Sequence, residues 1–402
     1  MQPSVPQEDK LEAERERRLR SARRVVVKIG TATVTGPDGV LCSERVEPVV
    51  RSIAALLQEG RQVVLVSSGA VGLGRAWLGL HPSRLHDLVT KQACAAVGQS
   101  LLMDAYRDLF AAVGIKVAQV LLTEEDFTVW RRYSNLRYTI EKLLQFGVIP
   151  IINENDTVST AELVPVGQGK RAVFSDNDRL AALVMSGLEA DALVLLSNVD
   201  GLLRKRPAAA RSHPTEAADE IIPLVAEITP DLRALAAGPS QSGRGGMVTK
   251  LEAAEIAMHC GGIAVIASGW VSDILTRLFA GEPVGTAFLP LSRMRGKRRW
   301  IAFAAEVEGR IAVDAGAQQA LTGGKASLLA SGILRIESHF APKDVVSIVD
   351  RHGREFARGL AHCASHEAEA ALASKNSSSS GNGGTAPSRV VVRRDTIVLL
   401  QR

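Results

Sequence analysis

The sequence predicts an α/β fold, a mostly parallel sheet sandwiched by helices, followed by a small β-rich domain. Three observations lead there. Up to about residue 290, short β-branched runs alternate with longer stretches of helical period. That rhythm builds strand–helix–strand crossovers and a sheet covered on both faces. Aromatic residues make up only 4% of a chain that is 46% hydrophobic, so the core is aliphatic, as buried parallel strands require. Beyond about residue 300 the pattern changes to short strand-like pieces between Gly-containing turns.

In chain order, residues 1–22 read as a charged, frayed helix or tail outside the fold, with Glu12, Glu14 and Glu16 among Arg15, Arg17 and Arg18. The main domain then spans 23–290. Its predicted strands are 24–29, 62–66, 115–121, 148–152, 192–196 and 262–267, each a short run rich in Val, Ile or Leu. Helical periodicity places helices over 44–58, 92–113, 131–146, 178–187 and 248–259. Residues 291–299 read as a basic linker, because Arg293, Arg295, Lys297, Arg298 and Arg299 stand there with no acid among them. The second domain, 300–402, has predicted strands at 309–313, 345–349, 389–392 and 396–400. Between these, about 374–387, a Ser- and Gly-rich insert reads as disordered.

Charge and composition narrow the class. The chain of 402 residues carries a formal charge of +5, which the basic linker alone matches, so the excess is local. Four scattered cysteines (Cys42, Cys94, Cys260 and Cys363) form no zinc pattern and point to a reducing compartment. No apolar run approaches the ~18 residues of a membrane span, and the N-terminal stretch mixes acids with bases, whereas transit peptides avoid acids. The expectation is a cytoplasmic protein.

Phosphate-binding patterns of the P-loop and dinucleotide types are missing. Instead, Gly-rich or polar turns follow the predicted strands, at the edge where ligands of open α/β sheets gather. Lys28-Ile29-Gly30 ends the first strand. Its lysine reads either as a snorkelling edge residue or as one that reaches a phosphoryl group. Ser67-Ser68-Gly69 through Gly74 opens a helix, a place suited to an anion. Asn153-Glu154-Asn155-Asp156 is too polar for a core. It caps a following helix or binds an amino acid's ammonium and carboxylate. Ser175-Asp176-Asn177-Asp178 precedes a helix that needs one acid as N-cap, leaving the other for function. Gly243 to Lys250 is a Gly-rich loop running into a helix with a lysine in its first turn, where the dipole favours acids. Two lysines and an acid to orient them suit phosphoryl transfer, in which positioning and charge do most of the work.

These residues resemble the amino-acid kinase family and, within it, the glutamate 5-kinases. The resemblance covers nearly all of 24–402. Its most specific segments are Val26-Val27-Lys28-Ile29-Gly30-Thr31, Ser67-Ser68-Gly69-Ala70-Val71, Lys91 to Gln99, Ile152-Asn153-Glu154-Asn155-Asp156, Asp176-Asn177-Asp178 and Gly245-Gly246-Met247-Val248-Thr249-Lys250. It implies an amino-acid kinase fold and ATP-dependent phosphorylation of the side-chain carboxylate of L-glutamate, the first step of proline biosynthesis. By the same resemblance Lys28 and Lys250 contact the transferring group, and Asp178 holds both. Ser68, Gly69, Asn153, Asp156 and Asn177 bind glutamate. Lys28, Gly30, Ser197, Asn198, Arg244, Gly245, Gly246, Met247, Val248, Thr249 and Lys250 bind ATP, with Mg²⁺ bridging its phosphates and no protein side chain assigned to the metal. Such enzymes are inhibited by proline and assemble as homo-oligomers, dimers or tetramers. Residues 326–333 and 350–353 resemble the PUA domain that many of them carry. The sequence departs from the pattern at Ser197-Asn198, where Ser/Thr-Asp is usual, and in a longer stretch over 161–174 that includes Lys170 and Arg171.

Two other readings compete. A kinase for aspartate, N-acetylglutamate or a nucleotide would share the fold, but a free α-ammonium wants a carboxylate, and the 153–156 and 176–178 segments supply acids. An RNA-binding protein acting through the PUA-like domain fits the basic stretch and Arg393-Arg394, but the aromatics for base stacking are few.

Overall fold

The structure, a computed structural model, describes residues 5–123, 125–159, 177–205, 219–236, 246–324, 326–378 and 389–400. The chain divides into two units, one of residues 1–127 and 131–294, the other of 128–130 and 295–402.

Among the described residues the first unit holds ten strands: β1 (Arg24–Ile29), β2 (Gln62–Ser67), β3 (Lys116–Leu122), β4 (Val148–Glu154), β5 (Ala192–Ser197), β6 (Leu203–Lys205), β7 (Asp219–Ile221), β8 (Leu224–Val225), β9 (Ile263–Ser268) and β10 (Thr286–Phe288). Eight of them form one sheet in the order β3-β4-β2-β1-β5-β9-β10-β8, while β6 and β7 pair as a separate antiparallel ribbon. From β3 to β9 every pairing is parallel; β10 runs antiparallel to β9, and β8 runs parallel to β10. Every residue of β5 and β9 is buried, which explains why those strands read as unbroken apolar runs.

Register aligns the strand ends. Lys28 lies opposite Val66 of β2 and Leu195 of β5, and Ser197 lies opposite Ser268. The order reverses around β1, with β2 on one side and β5 on the other, which makes the topological switch point of the sheet. Alternation along β1 sends Val25, Val27 and Ile29 into the main core, with Ile53, Leu102, Tyr106 and Leu278 of the covering helices. Lys28 therefore faces the opposite side, where the helix Asn177–Leu188 packs on β1 and the helix Met247–His259 packs on β9.

Three expectations are corrected here. The N-terminal segment is not outside the fold: Val5–Ser21 is a helix whose Leu19 is fully buried in the main core, with Leu11 packed against it. Arg15 sits on the same stripe. It is 4% exposed and donates to Gly281 O at 2.7 Å and Glu282 O at 2.8 Å. An arginine on the inward face hid the apolar stripe in the sequence. The basic residues of 291–299 are not one solvated linker either, since Arg293 pairs with Glu189, Arg298 donates to Ile397 O, and Arg299 is buried. The insert expected at 374–387 begins inside the helix Ser365–Ser378, and the rest of it lies outside the described residues.

The second unit holds β11 (Val307–Val313), β12 (Leu328–Leu329), β13 (Ile333–Ile336), β14 (Val345–Val349), β15 (Glu355–Leu360), β16 (Val390–Val392) and β17 (Val398–Leu399). Five of these make a sheet, β13-β11-β14-β15-β17, and β12 pairs with β16. Its core is its own, with Ile311, Phe340, Val346, Ile348 and Val391 among the buried side chains.

Candidate active site

The described residues among those singled out in the sequence gather at the C-terminal edge of the sheet, most of them in two adjoining groups. The first is ionic. Asp178, in the first turn of the helix Asn177–Leu188, is fully buried. Its Oδ1 lies 2.7 Å from Lys28 Nζ and its Oδ2 lies 3.0 Å from Lys250 Nζ. Thr249 Oγ1 lies 3.2 Å from the same Oδ2 and 2.9 Å from Gly246 O, so its single proton can go to either acceptor. Burial by itself would raise the Asp178 pKa. The ammonium groups of Lys28 and Lys250 outweigh burial and hold the carboxyl well below the usual carboxylate range. One carboxylate thus fixes two ammonium groups side by side, each almost wholly out of water.

Two helices begin at this point. Asn177 and Met247 are the first residues of their helices, so unsatisfied backbone N–H groups and the positive ends of two helix dipoles converge beside the two lysines. The first turn of Met247–His259 contains no acid. An anion with several oxygens is the ligand this arrangement suits.

The second group is a network of neutral polar side chains. Asn177 Nδ2 stands 2.8 Å from Ser67 O, 2.8 Å from Ser68 Oγ and 2.9 Å from Asn153 Oδ1. Asn153 Nδ2 donates to Gln99 Oε1 at 2.8 Å. Beneath them, Ser67 Oγ and the Tyr106 hydroxyl share a 2.8 Å hydrogen bond, and burial pushes the Tyr106 pKa up to about 12. Tyr106 is therefore a neutral prop. Asp156 is half-buried in the turn just after β4, and Glu154 Oε1 accepts from Ser159 Oγ at 2.8 Å. Gly69 takes φ +106° where β2 turns into the next helix, a left-handed conformation that glycine adopts without strain.

Around these groups, Gly30 N donates to Leu196 O at 3.0 Å, tying the turn after β1 to β5. Ser197 is buried and its Oγ donates to Asn198 Oδ1 at 3.3 Å; Asn198 is exposed at the strand end. Gly246 and Met247 are half-buried and Val248 is exposed at the start of their helix. Arg244, Gly245, Asp176 and the stretch 161–174 lie outside the described residues. Among the described residues, no three His, Cys, Asp or Glu side chains stand together to hold a metal.

Two supporting residues were not assigned a role from the sequence, Gln99 and Tyr106. Both come from the helix Leu88–Ala111. The available signal was a glutamine and a tyrosine on its buried stripe with Cys94, Ala95, Leu102 and Phe110. Gly74 likewise serves packing rather than anion binding: a Cβ there would collide with the backbone of Cys94, and one at Gly98 with Ala70 O.

The amino acid kinase family matches residues 23–267, and the PUA domain matches residues 309–378. A glutamate 5-kinase of Caldanaerobacter subterraneus subsp. tengcongensis is 42% identical over 381 residues, covering 94% of this chain and 98% of that relative. The chain belongs to the glutamate 5-kinase family. A glutamate 5-kinase of Myxococcus xanthus is 48% identical over 85% of this chain and 87% of its own length. That of Moorella thermoacetica is 44% identical over 86% and 87%. In a chain of this family the two clusters adjoin because Asn177 and Asp178 are consecutive, one facing each group.

Proposed function

We propose that this chain is an ATP-dependent glutamate 5-kinase. An oxygen of the glutamate side-chain carboxylate attacks the γ-phosphorus of ATP. The bond from that phosphorus to the β,γ-bridging oxygen breaks, giving glutamyl 5-phosphate and ADP. The observation that carries the reading is Asp178 holding Lys28 and Lys250 at 2.7 and 3.0 Å, at the meeting point of two helix N-termini.

The attacking carboxylate is already ionised near neutral pH, so no general base is needed. Asp178 is accordingly a positioning residue: its charge is committed to the two lysines, whose ammonium groups meet the negative charge spread over the transferring oxygens. Ser68, Gly69, Asn153 and Asn177 supply hydrogen bonds for glutamate, and Asp156 supplies a carboxylate for its α-ammonium. Gly30, Ser197, Asn198, Arg244, Gly245, Gly246, Met247, Val248 and Thr249 are the residues assigned to the nucleotide. Mg²⁺ enters with ATP as part of the substrate, where it neutralises phosphate charge. The same reading includes feedback inhibition by proline, a homo-oligomeric assembly and a cytoplasmic location.

The test is turnover of Mg-ATP with L-glutamate, L-aspartate, N-acetylglutamate and UMP, each with hydroxylamine present to trap an acyl phosphate. Hydroxamate from glutamate alone is the expected result. Turnover with another acceptor overturns the substrate, and no turnover at all overturns the kinase reading.

A further inference from the structure

The two helices that carry the ionic cluster are also joined at their far ends. Asn177–Leu188 and Met247–His259 contain 12 and 13 residues, so the helices are about 18–20 Å long at 1.5 Å per residue and their C-termini lie well away from the ionic cluster. Both end in left-handed residues, Glu189 at φ +50° and Gly261 at φ +76°. Glycine is the usual residue at such a position, and a glutamate held there costs on the order of 1 kcal/mol.

Residues 291–294 close this end. Leu291 N donates to Met258 O at 2.9 Å and Met294 N donates to His259 O at 3.2 Å, adding partners to the last carbonyls of the helix. The stem of Arg293 packs so closely on Gly261 that a Cβ there would meet Arg293 Cβ at 2.8 Å. The guanidinium of Arg293 reaches across to Glu189, with Nη2 2.9 Å from Oε2. Gly262, beside it, has no room for a side chain against Asp191 O and Ala190 O. One four-residue segment therefore holds the ends of both helices, and the chain passes from it into the second unit at Arg295.

We propose that Arg293, with the segment 291–294, is a positioning element for the kinase reaction: it fixes the relative slide and rotation of the two helices, and so the placement of Lys250 against Asp178. The inference rests on the phosphoryl-transfer role given to those residues above. The Arg293–Glu189 pair is exposed, so it contributes little to global stability. Its leverage is geometric, because misplacement of a reacting group by a fraction of an ångström lowers the rate without unfolding anything. Substrate affinity is expected to change less: Ser68 sits beside β2 and Asn153 on β4, and Asn177, although it heads the first of the two helices, is tied to both residues by hydrogen bonds of 2.8 and 2.9 Å.

The experiment compares the full chain with Arg293→Glu, Glu189→Arg and the double exchange. Measured quantities are kcat and KM in the hydroxamate assay, ADP affinity by calorimetry, and the thermal midpoint. Each single change is expected to lower kcat about threefold to tenfold, with the KM for glutamate within about twofold of the parent. ADP binding is expected to weaken in parallel, and the double exchange to recover most of both losses. An unchanged kcat in both single variants overturns the proposal, as does a loss that follows the thermal midpoint and is not recovered in the double variant. ADP affinity reads the same helix N-termini without glutamate, so it decides the matter even for a parent chain that proves inactive on glutamate.

Discussion

Asp178 is the residue on which the arrangement of charge depends, and its removal has two separable consequences. In Asp178→Asn the two ammonium groups stay buried without their shared carboxylate, a change expected to cost about 3–5 kcal/mol of stability. The pH dependence follows from the depressed pKa. The stabilisation is complete above the unfolded aspartate value of about 3.9, and it is lost as pH falls below that toward the lower folded value. Thermal midpoints of parent and variant should therefore lie far apart at pH 7 and approach each other below about pH 4; a constant gap would count against the assignment. In the proposed reaction Lys250 acts on the transition state and Asp156 on the bound amino acid. Lys250→Ala is expected to lower kcat about 10²–10³-fold. Asp156→Ala is expected mainly to raise the KM for glutamate, and an unchanged KM there would remove it from the substrate site. Legibility at this scale followed local context. Lys28, Asp178 and Lys250 stand out because each is a charge at a strand or helix end, where burial needs a reason. Gln99 does not, because a single glutamine inside a long helix shows no sign of being the acceptor for Asn153 until the helix is packed.

Among the elements, the contact between the helices Ala70–Trp77 and Leu88–Ala111 brings Gln99 and Tyr106 under the substrate network. The close approach depends on Gly74 and Gly98, whose α-carbons face the backbone of the other helix. Gly98→Ala should force the helices apart at a cost of about 1–3 kcal/mol, read as a lower denaturant midpoint with unchanged slope, together with a higher KM for glutamate. An alanine accepted without change in either quantity would show that the contact has slack. The central strands were readable from sequence because unbroken apolar runs have few other uses. The strand starts at Arg24, Gln62, Val148 and Ala192 are where the pattern placed them. Helix starts were less visible. The helix expected from residue 92 begins at Leu88, after Asp87 accepts a hydrogen bond from Thr90 N at 2.8 Å, and its exposed Val89 breaks the periodic pattern. The two-residue strand β8 and the β6–β7 ribbon carry too few residues for any period to show.

On the scale of the whole molecule, the two main sheets have separate hydrophobic cores, and the chain passes between their units after Met294 and at residues 128–130. Each core has its own set of buried side chains, so each unit has the means to unfold as a cooperative transition of its own. The residues assigned to ATP and glutamate all belong to the first unit. A ligand that binds only the folded state stabilises what it binds, by about 2.7 kcal/mol at a hundred times its dissociation constant. For a unit of this size that corresponds to a rise of roughly 5–10 °C in its midpoint. Calorimetry of the full chain should then show two transitions, of which Mg-ADP with glutamate raises one and leaves the other in place. A single transition that moves as a whole would mean that the two cores unfold together, and the segment 291–294 would then have to carry cooperativity between the units as well as the alignment of the two active-site helices. A second transition that moves in the parent chain but stays fixed in Arg293→Glu would locate that cooperativity at the same four residues.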